Sequence, residues 1–271
     1  MEERHLRERM TLIVLALLAL LSACKPLESV PEPLVRAQEQ IQCSSNVEFS
    51  EASERSVSAT LSRRLAKTAN QTREASVYVY NVDSRGRGSG TYFEHEGRHI
   101  VVTAGHVSNY SPVLIVTAPS GEEVIAFNAY QELSDDNDFS VLLLTEPLTT
   151  RTPMEFKVRQ SHERMIGETL VYTGHPASHE SLTIFGQVAG FADNQNIIFH
   201  SYAWMGASGS AVFDERGRLV GILRAVDFNP GPIVPQITED IVWLSPATSI
   251  DTERLDKILT VINLLQELEE E

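Results

Sequence analysis

From Ala75 onward the chain consists of short runs of β-branched and aromatic residues separated by Gly, Asp, Asn and Pro turns, and this pattern excludes more folds than any other feature of the sequence. The runs are SVYVYNV, GTYFEHEGRHIVVTA, VLIVTAP, EVIAFNAY and FSVLLL. After a connection near residues 146–165 come TLVYTG, SLTIFGQVAGF, IIFHSYA, SAVFDERGRLVGIL and IVWLSP. None is followed by an amphipathic helix of about 10–15 residues, so the crossovers that a parallel α/β sheet requires are missing. The runs group into two clusters of about six, with hairpin turns at 94–97 and 214–217. The expected fold is therefore all-β: two antiparallel six-stranded β-barrels with flanking N-terminal and C-terminal helices. No internal repeat is apparent.

The core of such a fold must hold by packing alone, because both cysteines, Cys24 and Cys43, precede it. Apolar residues make up 42% of the chain, which is enough to fill two barrel interiors. The formal net charge is −15 and there is no Lys/Arg block, which excludes nucleic acid as a partner and disfavours polyanions generally.

The front of the chain reads as an export signal over residues 1–23. The stretch TLIVLALLALLSA is about 13 residues long, short of the roughly 20 a membrane span needs. It ends in Leu21-Ser22-Ala23-Cys24, which resembles a bacterial lipobox; the resemblance implies that Cys24 is lipidated and becomes the mature N-terminus. The leading MEERHLRERM balances three acids against three arginines, a departure from the usual positive leader, and an uncleaved anchor with an incidental cysteine is the alternative. Lys25 after the cysteine implies the periplasmic side of an outer membrane. Residues 24–49 carry Pro26, Pro31 and Pro33 and several glutamines, a lipid-anchored flexible tether. Residues 50–72 suit an N-terminal helix capped by Ser50, and 250–271 a C-terminal amphipathic helix, with Leu255, Ile258, Leu259, Ile262, Leu265 and Leu268 at helical spacing after Thr248 and Asp251, which could form a capping box.

Three segments of the body carry chemistry. In HIVVTAGHV an apolar strand breaks at small residues and presents His106. In NDFSVLLL, Asp138 stands at the mouth of an apolar strand, next to Asp135 and Asp136. In GASGSAV, Gly206 lets its own N–H and that of Ser208 turn toward one point, and Gly209 permits a sharp exit. A hydroxyl, an imidazole to take its proton, a carboxylate to hold the imidazole and two amides to receive an oxyanion are what acyl transfer by serine requires.

Taken together, TAGHV, the upstream Gly88-Ser89-Gly90-Thr91, Asp-Phe-Ser-Val-Leu, G-x-S-G-S, Gly174-His175-Pro176 and Thr183-Ile184-Phe185-Gly186-Gln187-Val188 resemble the chymotrypsin/trypsin-like serine peptidase family over about residues 75–245. The bacterial high-temperature-requirement and glutamyl endopeptidase types are the nearest in pattern. The resemblance implies a trypsin-like serine peptidase domain over 73–249 acting as an endopeptidase on protein or peptide substrates. His106, Asp138 and Ser208 would be catalytic, Gly206 and Ser208 would form the oxyanion hole, and Leu223, Arg224 and Ala225 would be the substrate-facing edge. Too few residues follow Gly221 for the PDZ module of the high-temperature-requirement enzymes. No cofactor and no metal are expected. His175 and His179 are four apart, but Pro176 opposes a helix that would present both to zinc, and Cys43 lies in the tether without a pocket. The competing class is a catalytically silent, membrane-tethered barrel that binds a protein partner.

Overall fold

The computed structural model describes residues 62–162, 164–229 and 236–270; the leader, Cys24, Cys43, the tether and residues 50–61 lie outside the described residues. Helix α1 (Arg63–Ala75) is capped by Ser62, whose hydroxyl accepts from the Leu65 amide, while Ser50 lies outside the described residues. It buries Leu65, Thr68, Ala69, Thr72 and Ala75. Thr72 reaches Thr173 hydroxyl to hydroxyl at 2.7 Å, so the helix is packed on the body.

The first barrel uses β1 (Ser76–Asn81), β2 (Arg87–His95), β3 (Arg98–Thr103), β4 (Val113–Thr117), β5 (Glu123–Leu133) and β6 (Asp138–Leu144). The hydrogen-bonded order β1-β4-β5-β6-β3-β2 closes through a β1–β2 pairing, and a short β7 (Met154–Glu155) adds in parallel to β2. The β2–β3 hairpin turns on Glu96 and Gly97, both left-handed, the conformation that matches strand twist in a two-residue loop. The second barrel closes in the order β10-β13-β12-β11-β8-β9, from β8 (Thr169–Gly174), β9 (Leu182–Phe191), β10 (Ile197–His200), β11 (Ala211–Phe213), β12 (Leu219–Asn229) and β13 (Gln236–Pro246). Both closed six-stranded antiparallel barrels expected from the sequence are present. The fold is chymotrypsin-like.

Strand period explains how the barrels meet. Alternate side chains of a strand point to opposite faces. Leu170, Tyr172, Val212 and Leu223 fill the second barrel, whereas Val171, Phe213 and Ile222 belong to the core cluster of the first. β6 is buried at every position. Its first residue, Asp138, is therefore carried to the seam on a strand with no exposed face.

Helix α2 (Gly105–Ser108) is a single turn at the end of β3, and helix α3 (Thr252–Glu270) closes the chain. Asp251 caps α3 through the Arg254 amide, and Leu255 and Leu259 are buried. The stripe is therefore packed core over its described first half. His95 Nε2 lies 2.6 Å from Asp256 of this helix and His99 Nδ1 lies 2.6 Å from Tyr92 Oη, so neither hairpin histidine is left to solvent alone.

Candidate active site

His106 sits in α2, where the chain leaves β3. Gly105 is required there because a Cβ would meet Glu132 O at 2.5 Å and Asp138 Oδ1 at 3.0 Å. The same close approach lets one carboxylate hold His106 twice. Asp138 Oδ2 is 2.7 Å from the imidazole Nδ1, and Oδ1 accepts from the His106 amide at 2.9 Å. The Asp138 amide donates to Ser245 Oγ at 2.8 Å. Asp138 is 3% exposed, yet its pKa is lowered: burial pushes it up most strongly, but the hydrogen bonds and charge of His106, with Arg224 behind them, outweigh it. A carboxylate on Nδ1 selects the tautomer that leaves Nε2 as proton acceptor. Asp135 and Asp136 lie exposed on the preceding turn.

Ser208 occupies the turn between β10 and β11. Its carbonyl accepts from the Ser89 amide at 2.8 Å, and Gly209 donates to Leu223 O at 2.8 Å. Gly209 has φ +91°, and a Cβ on it would lie 2.2 Å from Ser89 O, 2.3 Å from Thr103 Oγ1 and 2.9 Å from Ala104 N. The residue after Ser208 thus lies against the residues just before His106, at the seam between the barrels. The Ser208 hydroxyl has no hydrogen-bond partner among the described residues.

The amides of Gly206 and Ser208 are likewise without partners among the described residues, and their surroundings explain why. The Met205 carbonyl accepts from the Ala177 amide at 2.7 Å. In a trans peptide C=O and N–H point oppositely, so this bond turns the Gly206 N–H away from Ala177. The Gly206 carbonyl accepts from Ser89 Oγ at 2.7 Å, and Ser89 Oγ accepts from the His175 amide at 2.9 Å. Gly206 has φ +97° and no room for a side chain, since a Cβ would sit 2.6 Å from His175 O. Both amides are thus left free to donate, with the carbonyls of their peptides, Met205 O and Ala207 O, engaged by Ala177 and Ser210.

Of the expected substrate edge, Leu223 is buried in the second core and spends its amide and carbonyl on Ser210 and Gly209. It does not belong to the open edge. Beyond it, among the described residues, β12 pairs only with β13, so its other edge has no described partner from Arg224 onward, with Ala225 exposed. Arg224 turns toward Asp138, Nε to Oδ2 3.9 Å. His175 is buried and stacked on Tyr78 at 3.7 Å between ring centres, whereas His179 is exposed, so the two do not form a ligand pair. Burial pushes His175 down to about 4, partly opposed by the His179 backbone.

Sequence reasoning missed Ser89, Ala177 and Ser245 as supports of the site. Ser89 stands in the quoted GSG motif, but only the fold brings it to Gly206. Ala177 carries no signal beyond its neighbour Pro176, because its left-handed φ of 51° is a property of the folded loop.

Residues 88–222 match the family model of the trypsin-like peptidase domain. This chain contains a trypsin-like peptidase domain. Among solved structures the domain is similar to the serine endoprotease from Yersinia pestis, at 20% identity and a TM-score of 0.55, over 74% of this chain and 68% of that one. At that identity the likeness shows the fold alone. No curated protein matches the chain.

Proposed function

We propose that this peptidase domain is a serine endopeptidase that cleaves peptide bonds through an acyl-enzyme. His106 Nε2 takes the proton of Ser208 Oγ as that oxygen attacks the substrate carbonyl. The tetrahedral oxyanion is received by the Gly206 and Ser208 amides, and the protonated imidazole, held by Asp138, then gives its proton to the leaving amine. Water repeats the sequence on the acyl-enzyme. The observation that carries this reading is the double grip of Asp138 on His106, beside a serine turn with two amides free to donate. Leu223–Ala225 were the expected substrate edge; the unpaired edge from Arg224 onward is the part able to pair with an extended peptide.

The competing reading, a silent barrel that binds a protein partner, is favoured by one observation: Ser208 makes no hydrogen bond to His106. In free hydrolases this contact is often long and tightens with substrate. A fluorophosphonate probe separates the two. Labelling that vanishes in Ser208→Ala supports the enzyme; no labelling of folded wild type supports the binder.

We further propose that Cys24 is lipidated and holds the domain at the periplasmic side of a bacterial outer membrane through residues 24–49. The lipobox-like Leu21-Ser22-Ala23-Cys24 supports this, and no described helix is long and apolar enough to cross a membrane. Cys24→Ser should release the protein from the membrane fraction; unchanged fractionation refutes the anchor.

A further inference from the structure

We propose that Arg224 is a positioning residue of the catalytic centre, which holds the Asp138 carboxylate charged and in place so that the Asp138–His106 pair stays reactive at lower pH. The inference rests on the reading of His106, Asp138 and Ser208 as a triad.

The pairing of β12 with β13 shifts register between Leu223 and Ala225. A bulge of this kind re-aims a side chain out of the strand's alternation. Here Leu223 goes into the core while the guanidinium of Arg224 reaches across the seam to the turn that carries Asp138. Nη1 donates to Asp135 O at 2.9 Å, Nη2 to Ser134 O at 3.4 Å, and Nε lies 3.9 Å from Asp138 Oδ2. Asn194 Nδ2 donates to the same Asp135 carbonyl at 3.1 Å. The side chain is 18% exposed, so its charge is only partly screened.

The 3.9 Å contact is too long for a hydrogen bond. Oδ2 therefore keeps its bond to His106 Nδ1, and Arg224 acts as a charge placed on the far side of the shared oxygen. The groups around Asp138 make that charge singular. His106 faces it from α2 and the neutral Ser245 hydroxyl from β13. On β5, Glu132 is engaged by Asn137 Nδ2 and Tyr130 Oη. Asp135 and Asp136 are exposed on the turn, and His162 shares a surface hollow with Asp136 and Asn137. Only Arg224 is a cation at every working pH.

Nε at 3.9 Å from Oδ2 places the guanidinium where an opposite charge favours the ionised carboxylate. The direction follows from sign. A fixed cation stabilises the Asp138 carboxylate, and the two carbonyl bonds hold the turn in register.

The test is the pH dependence of fluorophosphonate inactivation of the full chain, which needs no knowledge of the substrate. In Arg224→Gln the midpoint of the acid limb should rise by about one pH unit, so that inactivation below both midpoints slows about tenfold. Arg224→Lys keeps the charge and should return the midpoint toward wild type. Where Arg224→Gln does not fold, Arg224→Met, which keeps the packed stem, carries the same expectation. An unchanged midpoint in the neutral variant, with labelling still abolished in Ser208→Ala, overturns the role of Arg224 and leaves the triad reading standing. Labelling that survives in Ser208→Ala overturns the triad reading itself.

Discussion

Ser89→Ala tests how the proposed oxyanion site is built. The Ser89 hydroxyl is fully buried and bridges two backbone groups, accepting from the His175 amide at 2.9 Å and donating to the Gly206 carbonyl at 2.7 Å. Alanine fits the space but leaves an N–H and a C=O buried and unpaired, at about 1–3 kcal/mol each, so a loss of about 2–6 kcal/mol is expected. For a body of this size that lowers Tm by roughly 4–24 °C. Catalysis should suffer separately. With its carbonyl released, Gly206 is held only by its neighbours, the Met205 carbonyl on Ala177 and the Ala207 amide on Trp204 O, and blurring one oxyanion donor costs on the order of 10²-fold in acylation. Thermal unfolding reads the first effect, and the fluorophosphonate inactivation rate, measured well below Tm, reads the second. A variant that loses stability but acylates at the wild-type rate would detach Gly206 from the oxyanion role. One that loses neither would refute the bridging geometry.

Asp138→Asn should lower acylation by orders of magnitude while Asp135→Asn and Asp136→Asn change it little, since only Asp138 is buried on His106; inactivation kinetics of the three variants check the choice, and the reverse ranking refutes it. His175 titrates near 4 in the folded protein and near 6.5 unfolded, so between those values the unfolded chain binds the extra proton and stability falls as pH drops. The loss should reach about 3 kcal/mol by pH 4, with Asp138 adding in the same direction at lower pH. Denaturant melts across this range should show the slope, and His175→Phe, which keeps a ring against Tyr78, should flatten it; an equal slope in that variant rules His175 out as its source.

His106, Asp138 and Ser208 were legible as candidates because each sits in a short local pattern. TAGHV ends a strand at small residues, DFSVLLL starts one, and GASGS makes the turn between. Each pattern records a local constraint, such as the missing Cβ at Gly105, Gly206 and Gly209. The supports were not legible. Ser89, Ala177 and Ser245 act through backbone groups that lie far away in sequence, and a serine that bonds a distant carbonyl looks like any other serine.

Strand periodicity and turn chemistry determined the two barrels, because the alternation of buried side chains and the glycine-bearing turns are properties of neighbouring residues. Tertiary structure alone decided which atoms meet at the seam. Leu223 belongs to the expected substrate edge, but its pairing with Leu244 of β13 places it in the second core. Arg224 belongs to the same expected edge, and the bulge at this position turns its side chain toward Asp138. A register shift is settled by pairing with β13, so no inspection of residues 219–229 by themselves reveals where the arginine goes.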